Sequence, residues 1–261
     1  MDGTLLNDKK EMPEKTFDII DRLHERGITF AVASGRQHLS LQQLYDKIKD
    51  DIVIIAGNGS IIIDKGKVIF ADTINPDDVR EIVEITNQIP NLKITLCGLK
   101  SAYMFEENVM SEMPMYLVES HFPARTIIKG LDDLPADEKV IQIAIFDPNF
   151  NSNVNIYEKL KHFERTCHLA VSGSEWLDIM NIGVNKGVAI KKLQEILDAM
   201  PEETMVFGDE LNDYEMMQQA YYSYAMANAV PKIKEISNFE APSNEEQGVI
   251  RILENFLAMT K

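Results

Sequence analysis

Four short segments carry residue types suited to phosphoryl transfer: Asp2-Gly3-Thr4-Leu5-Leu6, Ala33-Ser34-Gly35-Arg36, Asn185-Lys186-Gly187 and Gly208-Asp209-Glu210-Leu211-Asn212-Asp213. A phosphate needs hydrogen-bond donors and positive charge, which the Ser34 hydroxyl, loop amides and Lys186 supply. Magnesium prefers carboxylate oxygens and keeps several waters, and Asp209 and Asp213 offer such oxygens. A carboxylate beside a leaving group serves as general acid and then as base on water, and Asp2 is the candidate. An ionised aspartate is also a competent phosphoryl nucleophile once a divalent cation neutralises its surroundings. Each segment alone is a common turn, loop or cap. Their order and their positions at element ends make the set informative.

Those positions follow from the elements around them. The β-branched runs ITFAVAS (28–34), DIVIIAG (51–57) and TMVFGD (204–209) predict buried parallel strands. Residues 14–26 set Phe17, Ile20 and Leu23 at helical spacing with Gly27 as the stop, and residues 185–200 repeat the pattern ahead of Pro201. Strands alternating with helices predict an α/β fold with a parallel sheet and helices on both faces. Three of the four segments then lie at carboxyl ends of parallel strands and the third segment at a helix start, the edge where open α/β sheets bind ligands.

The middle of the chain has a different texture. Asn75-Pro76 predicts a helix start running to about Gln88, with Asn as N-cap and Pro in the first turn. Strand-like runs follow at 93–98, 102–107, 125–130 and 139–147, then a helix near 152–165, then runs at 167–173 and 176–181. Several alternate apolar and polar residues, which predicts a sheet with one wet face. Residues 79–183 thus read as an inserted α+β domain, with 1–78 and 184–261 forming one discontinuous domain.

Composition bounds the partners. The chain has 261 residues and a net charge of −16, which disfavours nucleic acid and anionic membranes. Two cysteines, Cys97 and Cys167, make no disulfide framework and no zinc spacing, and they fit a reducing compartment. Residues 1–10 are polar, unlike a secretory signal, and no apolar run approaches the ~20 residues that span a bilayer, so a cytoplasmic protein is expected. No GxGxxG follows a strand, which disfavours a dinucleotide-binding dehydrogenase. His24, His38, His121, His162 and His168 show no metal spacing, and Trp176, Tyr221 and Tyr222 read as packing residues.

Taken together the segments resemble the haloacid dehalogenase superfamily, in particular the Cof-type (type IIB) phosphatases with a large α/β cap. DGTLL matches the first motif, Ser34 in VASGR the second, Lys186 in NKG the third and GDExND the fourth. Asn58-Gly59 matches the NG segment after the third strand, and Ala225-Met226-Ala227-Asn228-Ala229 resembles the AMxNA segment. The resemblance implies a Rossmann-like core with an inserted cap that selects a small phosphorylated metabolite such as a sugar phosphate. It implies Asp2 as general acid/base and metal ligand through its carbonyl, and Lys186 as phosphate holder and charge balance. It further implies Thr4, Ser34, Gly35 and Asn212 around the phosphate, Asp209 and Asp213 at Mg²⁺, and Arg36 and Asn58 toward the substrate. Arg125, Glu106 and His121 are candidate cap contacts, and a monomer or homodimer is expected.

The family's first motif is DxDGT, whose first Asp is the nucleophile that forms an aspartyl-phosphate. Met1 stands at x, so the nucleophile belongs immediately before it, at the end of a short apolar strand. Such a strand buries about five apolar side chains, worth roughly 7–15 kcal/mol, comparable to the about 5–15 kcal/mol that stabilises a whole domain. The expectation is therefore a start set at the internal Met of a DMDGT motif or a shortened chain. A catalytically inactive phosphometabolite-binding protein and a phosphomutase are the alternatives.

Overall fold

The computed structural model describes residues 1–109, 118–119, 121–172 and 174–259. The strands are β1 (Ala31–Ala33), β2 (Val53–Ala56), β3 (Ile61–Asp64), β4 (Lys67–Ala71), β5 (Lys93–Gly98), β6 (Ala102–Phe105) and β7 (Arg125–Ile128). They continue with β8 (Val140–Phe146), β9 (Cys167–Ser172), β10 (Trp176–Asn181), β11 (Met205–Gly208), β12 (Tyr222–Met226) and β13 (Phe239–Ala241). The helices are α1 (Thr16–His24), α2 (His38–Leu44), α3 (Pro76–Asn87), α4 (Glu106–Val109), α5 (Glu158–Leu160), α6 (Lys186–Leu197), α7 (Tyr214–Met217), α8 (Pro231–Ile236) and α9 (Gly248–Met259). None is long and apolar enough among the described residues to cross a membrane.

The chain forms two compact units. The first gathers Met1–Gly35, Lys47–Ile69 and Asn185–Lys261, and the second gathers Arg36–Asp46 and Phe70–Val184. In the first, β1 pairs parallel with β2, and β11, β12 and β13 form a parallel sheet. β2 is buried along its length, as a strand covered on both faces requires. α1 ends as the sequence predicts: Gly27 adopts φ +72°, and the Ile28 amide donates back to the Leu23 carbonyl at 3.0 Å. Its buried Ile19, Ile20 and Leu23 lie against the fold, and α1 packs on α9. Phe17, expected on that stripe, is only half-buried.

β2, β3 and β4 run antiparallel or as neighbours in one sheet, ordered β1-β2-β3-β4. The turn between β3 and β4 puts Lys65 at φ +48° and Gly66 at φ +70°. Two successive positive φ values give the twist that a two-residue hairpin needs.

The second unit is built on a six-stranded sheet ordered β7-β6-β5-β8-β10-β9. One face carries the core: Ile94, Leu96, Ile143, Ile145, Leu177 and Ile179 pack with Val79, Ile82 and Val83 of α3 and with Leu160 and Phe163. α3 starts as expected, with Asn75 Oδ1 accepting from the Asp77 amide at 2.9 Å. The expected wet face is limited to the outer strands: β5, β6 and β8 are buried throughout, while β7 and β10 carry half-buried or exposed positions. Gln142 of β8 turns its Nε2 to Asp178 Oδ1 of β10 at 3.0 Å.

One further expectation is corrected. The strand at 102–107 ends at Phe105, because Glu106 and Glu107 start α4, where acidic residues suit a helix's first turn. The helix expected near 152–165 is present as one unbroken helical run, made of a π turn (Asn153–Tyr157), the short α5 and a 3₁₀ turn (Lys161–Arg165). Asn155 Nδ2 is tied to Asp147 Oδ2 at 2.7 Å there, a side-chain bond that competes with a regular ladder. Gly173, which closes the expected run at 167–173, lies outside the described residues.

Candidate active site

In the first unit the carboxyl ends of β1, β2 and β11 and the start of α6 bring the predicted segments together. The β1–β2 ladder continues past the strands, with the Ser34 amide donating to the Ile55 carbonyl and the Asn58 amide to the Ser34 carbonyl, both at 3.0 Å. Asn58 sits at φ +55°, a left-handed position Asn tolerates. Its side chain closes on Gly35, where a Cβ would lie 2.9 Å from Asn58 Oδ1. On its other side Asn58 Oδ1 accepts from Asn212 Nδ2 at 3.0 Å.

Asn185 caps α6, its Oδ1 accepting from the Val188 amide at 2.8 Å, and so sets Lys186 as the first helical residue. Gly187 lies against the main chain of α7, with space for no Cβ: the Glu215 carbonyl oxygen would be 2.6 Å away. From this position Lys186 Nζ meets Asp213 Oδ1 at 2.6 Å, with side-chain exposures of 4% and 3%. Asp213 Oδ2 accepts from the amides of Asp209 at 3.0 Å and Glu210 at 3.2 Å. Both Asp213 oxygens are thus engaged, one by a cation and one by the turn that carries Asp209.

Met1–Thr4 spans from β1 to the end of β11. The Met1 amino nitrogen donates to the Ala33 carbonyl at 3.4 Å, and the Thr4 hydroxyl donates to Asp209 Oδ1. Gly3 adopts φ +68°, and the Asp209 carboxylate occupies the space a Cβ would need. The Asp2 carboxylate meets Lys10 Nζ at 3.4 Å and is partly open to solvent. Asn228 Nδ2 donates to the Gly3 carbonyl at 2.8 Å.

The electrostatics follow from crowding charge under cover. Burial holds the Asp209 carboxyl above the usual carboxylate range, with Asp213 adding to the effect, while the Thr4 hydroxyl, the Met1 amine and Lys186 oppose it. Burial also pushes Asp213 upward, but Lys186, the Met1 amine and the Asp209 amide outweigh it and leave this carboxyl below its ordinary value. The Met1 amine is held low by burial and then by Lys186.

Whether these groups suit a divalent cation can be tested on the donors themselves. Among the described residues no three His, Cys, Asp or Glu side chains converge as a metal cage. Mg²⁺ does not need one, since it takes one or two carboxylates and keeps its waters. Asp209 is a buried carboxylate whose ionisation its surroundings disfavour, and a cation would offset that penalty. The donor set therefore fits Mg²⁺ bound by few protein atoms.

Asp2, Thr4, Ser34, Gly35, Asn58, Lys186, Asp209, Asn212 and Asp213 all belong to the first unit, whereas Arg36 is grouped with the second. In that second unit His121 stacks on Trp176, ring centroids 5.6 Å apart. Sequence reasoning passed over Lys10 and Asn244. Lys10 reaches Asp2 from a left-handed position at φ +64°, and Asn244 Nδ2 donates to the Leu6 carbonyl at 3.1 Å. Neither stands in a motif, and their approach depends on loop closure.

Residues 1–253 match the family model of the haloacid dehalogenase-like hydrolases. The 5-amino-6-(5-phospho-D-ribitylamino)uracil phosphatase YbjI of Escherichia coli K12 is 27% identical over 98% of this chain and 94% of its own. An HMP-PP phosphatase of Escherichia coli O6:H1 is 29% identical over 90% of this chain and 84% of its own. Among solved structures, SMU.1108c from Streptococcus mutans superposes with a TM-score of 0.85 at 30% identity, covering 99% of this chain and 97% of that one.

Proposed function

This chain belongs to the haloacid dehalogenase-like hydrolases, and we propose that it is a Mg²⁺-dependent phosphatase acting on phosphate monoesters of small metabolites. The observation that carries the reading is the buried Lys186–Asp213 pair. It sets a fixed positive charge beside the Asp209 turn, next to the Ser34–Gly35 and Gly3–Thr4 loops whose amides and hydroxyls suit a phosphate. Two similar proteins are named as phosphatases of chemically different compounds, which supports the reaction class and leaves the organic group open. Sugar phosphates and similar esters are the proposed range.

In this reading Ser34, Gly35, Thr4, Lys186 and Asn212 bind the phosphate oxygens, and Lys186 balances the carboxylates around them. Asp2, Asp209 and Asp213 form the proposed cation site, and Asp213 also keeps the Asp209 turn in place. When bound, Mg²⁺ supplies positive charge that draws the phosphate and a carboxylate together. In the family's DxDGT pattern the attacking carboxylate is that of the first aspartate. Its oxygen attacks phosphorus, the ester P–O bond breaks, and the Asp2 carboxyl gives its proton to the departing oxygen. Asp2 then takes a proton from the water that hydrolyses the aspartyl-phosphate. Arg36, Asn58 and the segment 79–183 are proposed to select the organic group. The proposed setting is the cytoplasm, and the working form a monomer or homodimer.

The test is p-nitrophenyl phosphate hydrolysis, with Mg²⁺ and with EDTA, by this chain and by one extended with an apolar segment ending in Asp before Met1. Turnover by the extended chain that EDTA abolishes is the expected result. Orthophosphate binding without turnover by either chain overturns the phosphatase reading in favour of a binding protein.

A further inference from the structure

We infer that Asn228 and Asn244 are positioning residues that fasten the Gly3–Asp8 loop against the Asp209 turn; this rests on the hydrolase reading above. Neither touches the groups assigned to phosphate or cation. Asn228 lies just after β12, and Asn244 lies in the turn that leads into α9.

The carboxamide of Asn228 has only one workable orientation. Its Oδ1 accepts from the Asn244 amide at 3.1 Å, and its Nδ2 donates to the Gly3 carbonyl at 2.8 Å. A flipped amide would set oxygen against the Gly3 carbonyl and nitrogen against an N–H. The same loop reaches the other side of the site, because the Val230 amide donates to the Asp209 carbonyl at 2.9 Å. Residues 228–230 therefore hold Gly3 and Asp209 to each other, the pair whose close approach leaves no space for a Cβ.

Asn244 fastens the rest of the loop. Its side chain is 3% exposed, and Nδ2 donates to the Leu6 carbonyl at 3.1 Å and to Asp8 Oδ1 at 3.0 Å. Glu245 Oε1 accepts from the Asp8 amide at 2.7 Å. The turn that presents them is itself locked, with Ser243 Oγ donating to Glu246 Oε2 at 2.8 Å and the Gly248 amide to the Ser243 carbonyl at 3.0 Å. Leu5 and Leu6 anchor the middle of the loop in the core, and these bonds fix the polar backbone on either side of them. Outer partners of this kind set the direction of groups that bind ions, and their loss typically costs about 10–100-fold in affinity.

The experiment uses the full chain, with Mn²⁺ as the probe cation read by electron paramagnetic resonance, alongside amide hydrogen exchange. Asn228→Ala and Asn244→Ala are compared with Asn238→Ala, which removes a similar bond to the Tyr221 carbonyl away from the site. The expected result is Mn²⁺ binding weakened roughly 10-fold or more in the first two. Exchange of the Thr4, Leu5 and Leu6 amides, which donate to the Met1 carbonyl, rises in the same variants, while β12 amides and the Asn238→Ala protein behave as wild type. Wild-type Mn²⁺ affinity in both variants overturns the inference, as does faster exchange spread evenly over the fold. A wild-type chain that binds no Mn²⁺ instead sinks the hydrolase reading, so the two failures are told apart.

Discussion

Lys186 and Asp213 form a 2.6 Å ion pair with both side chains nearly sealed from water. Such a pair returns little net stability compared with an apolar pair, yet removing one member strands the other charge under cover. Here the stranded charge would be Asp213, already beside buried Asp209. Lys186→Met is expected to cost about 3–5 kcal/mol, read as a lower urea midpoint at neutral pH. An unchanged midpoint would mean that Asp213 is neutral or hydrated without its partner.

Gly3 and Gly27 separate backbone strain from crowding. Both have positive φ, +68° and +72°, but a Cβ meets the Asp209 carboxylate at Gly3 and nothing within 4 Å at Gly27. Gly27→Ala should cost about 1–2 kcal/mol and leave orthophosphate binding as it was. Gly3→Ala should cost more and abolish orthophosphate binding, because Asp209 must move. Isothermal titration with orthophosphate checks both, and equal effects from the two would contradict the assigned crowding.

His38 provides a pH dependence in the second unit. Burial pushes its imidazole down to about 4, against smaller opposing effects from the Leu99 carbonyl and Glu138. The folded protein thus refuses a proton that the unfolded chain accepts near pH 6.5. The contribution is fully present above that pH and is lost as pH falls toward 4, on the order of 3 kcal/mol in all. His38→Gln should flatten the stability profile between pH 6.5 and about 4 in denaturant titrations. A slope in that window identical to wild type would assign it to other groups.

The elements that carry the site were legible because their signals are local. Gly27 stops α1, Asn185 caps α6, and the β-branched runs before Ser34 and Asp209 form β1 and β11. The hairpin of β3 and β4 was passed over, although Asp64-Lys65-Gly66-Lys67 between two apolar runs is a turn signal. The expected 152–165 helix is there, but its departure from a regular α ladder, with Asn155 bonded to Asp147 outside the segment, is not visible in the periodicity. The same limit hid Lys10 and Asn244, whose partners lie in contacts that only the closed loops create. The positions of Ser34, Lys186, Asp209 and Asp213 at element ends were legible because their neighbours in sequence already fix where strand or helix ends.

The Thr4–Asp209 hydrogen bond joins residues 205 positions apart, and the Asn244–Leu6 bond joins residues 238 apart. The first unit is thus assembled from segments that lie, in sequence, on either side of Phe70–Val184. Loop-closure entropy grows only slowly with length, so this closure costs equilibrium stability little, but non-local pairings of this kind form late. During synthesis the second unit can therefore be finished while the cluster around Asp209 does not yet exist. The groups proposed to bind phosphate are fastened together only when the turn that carries Asn244 is in reach, so a half-made chain lacks the arrangement.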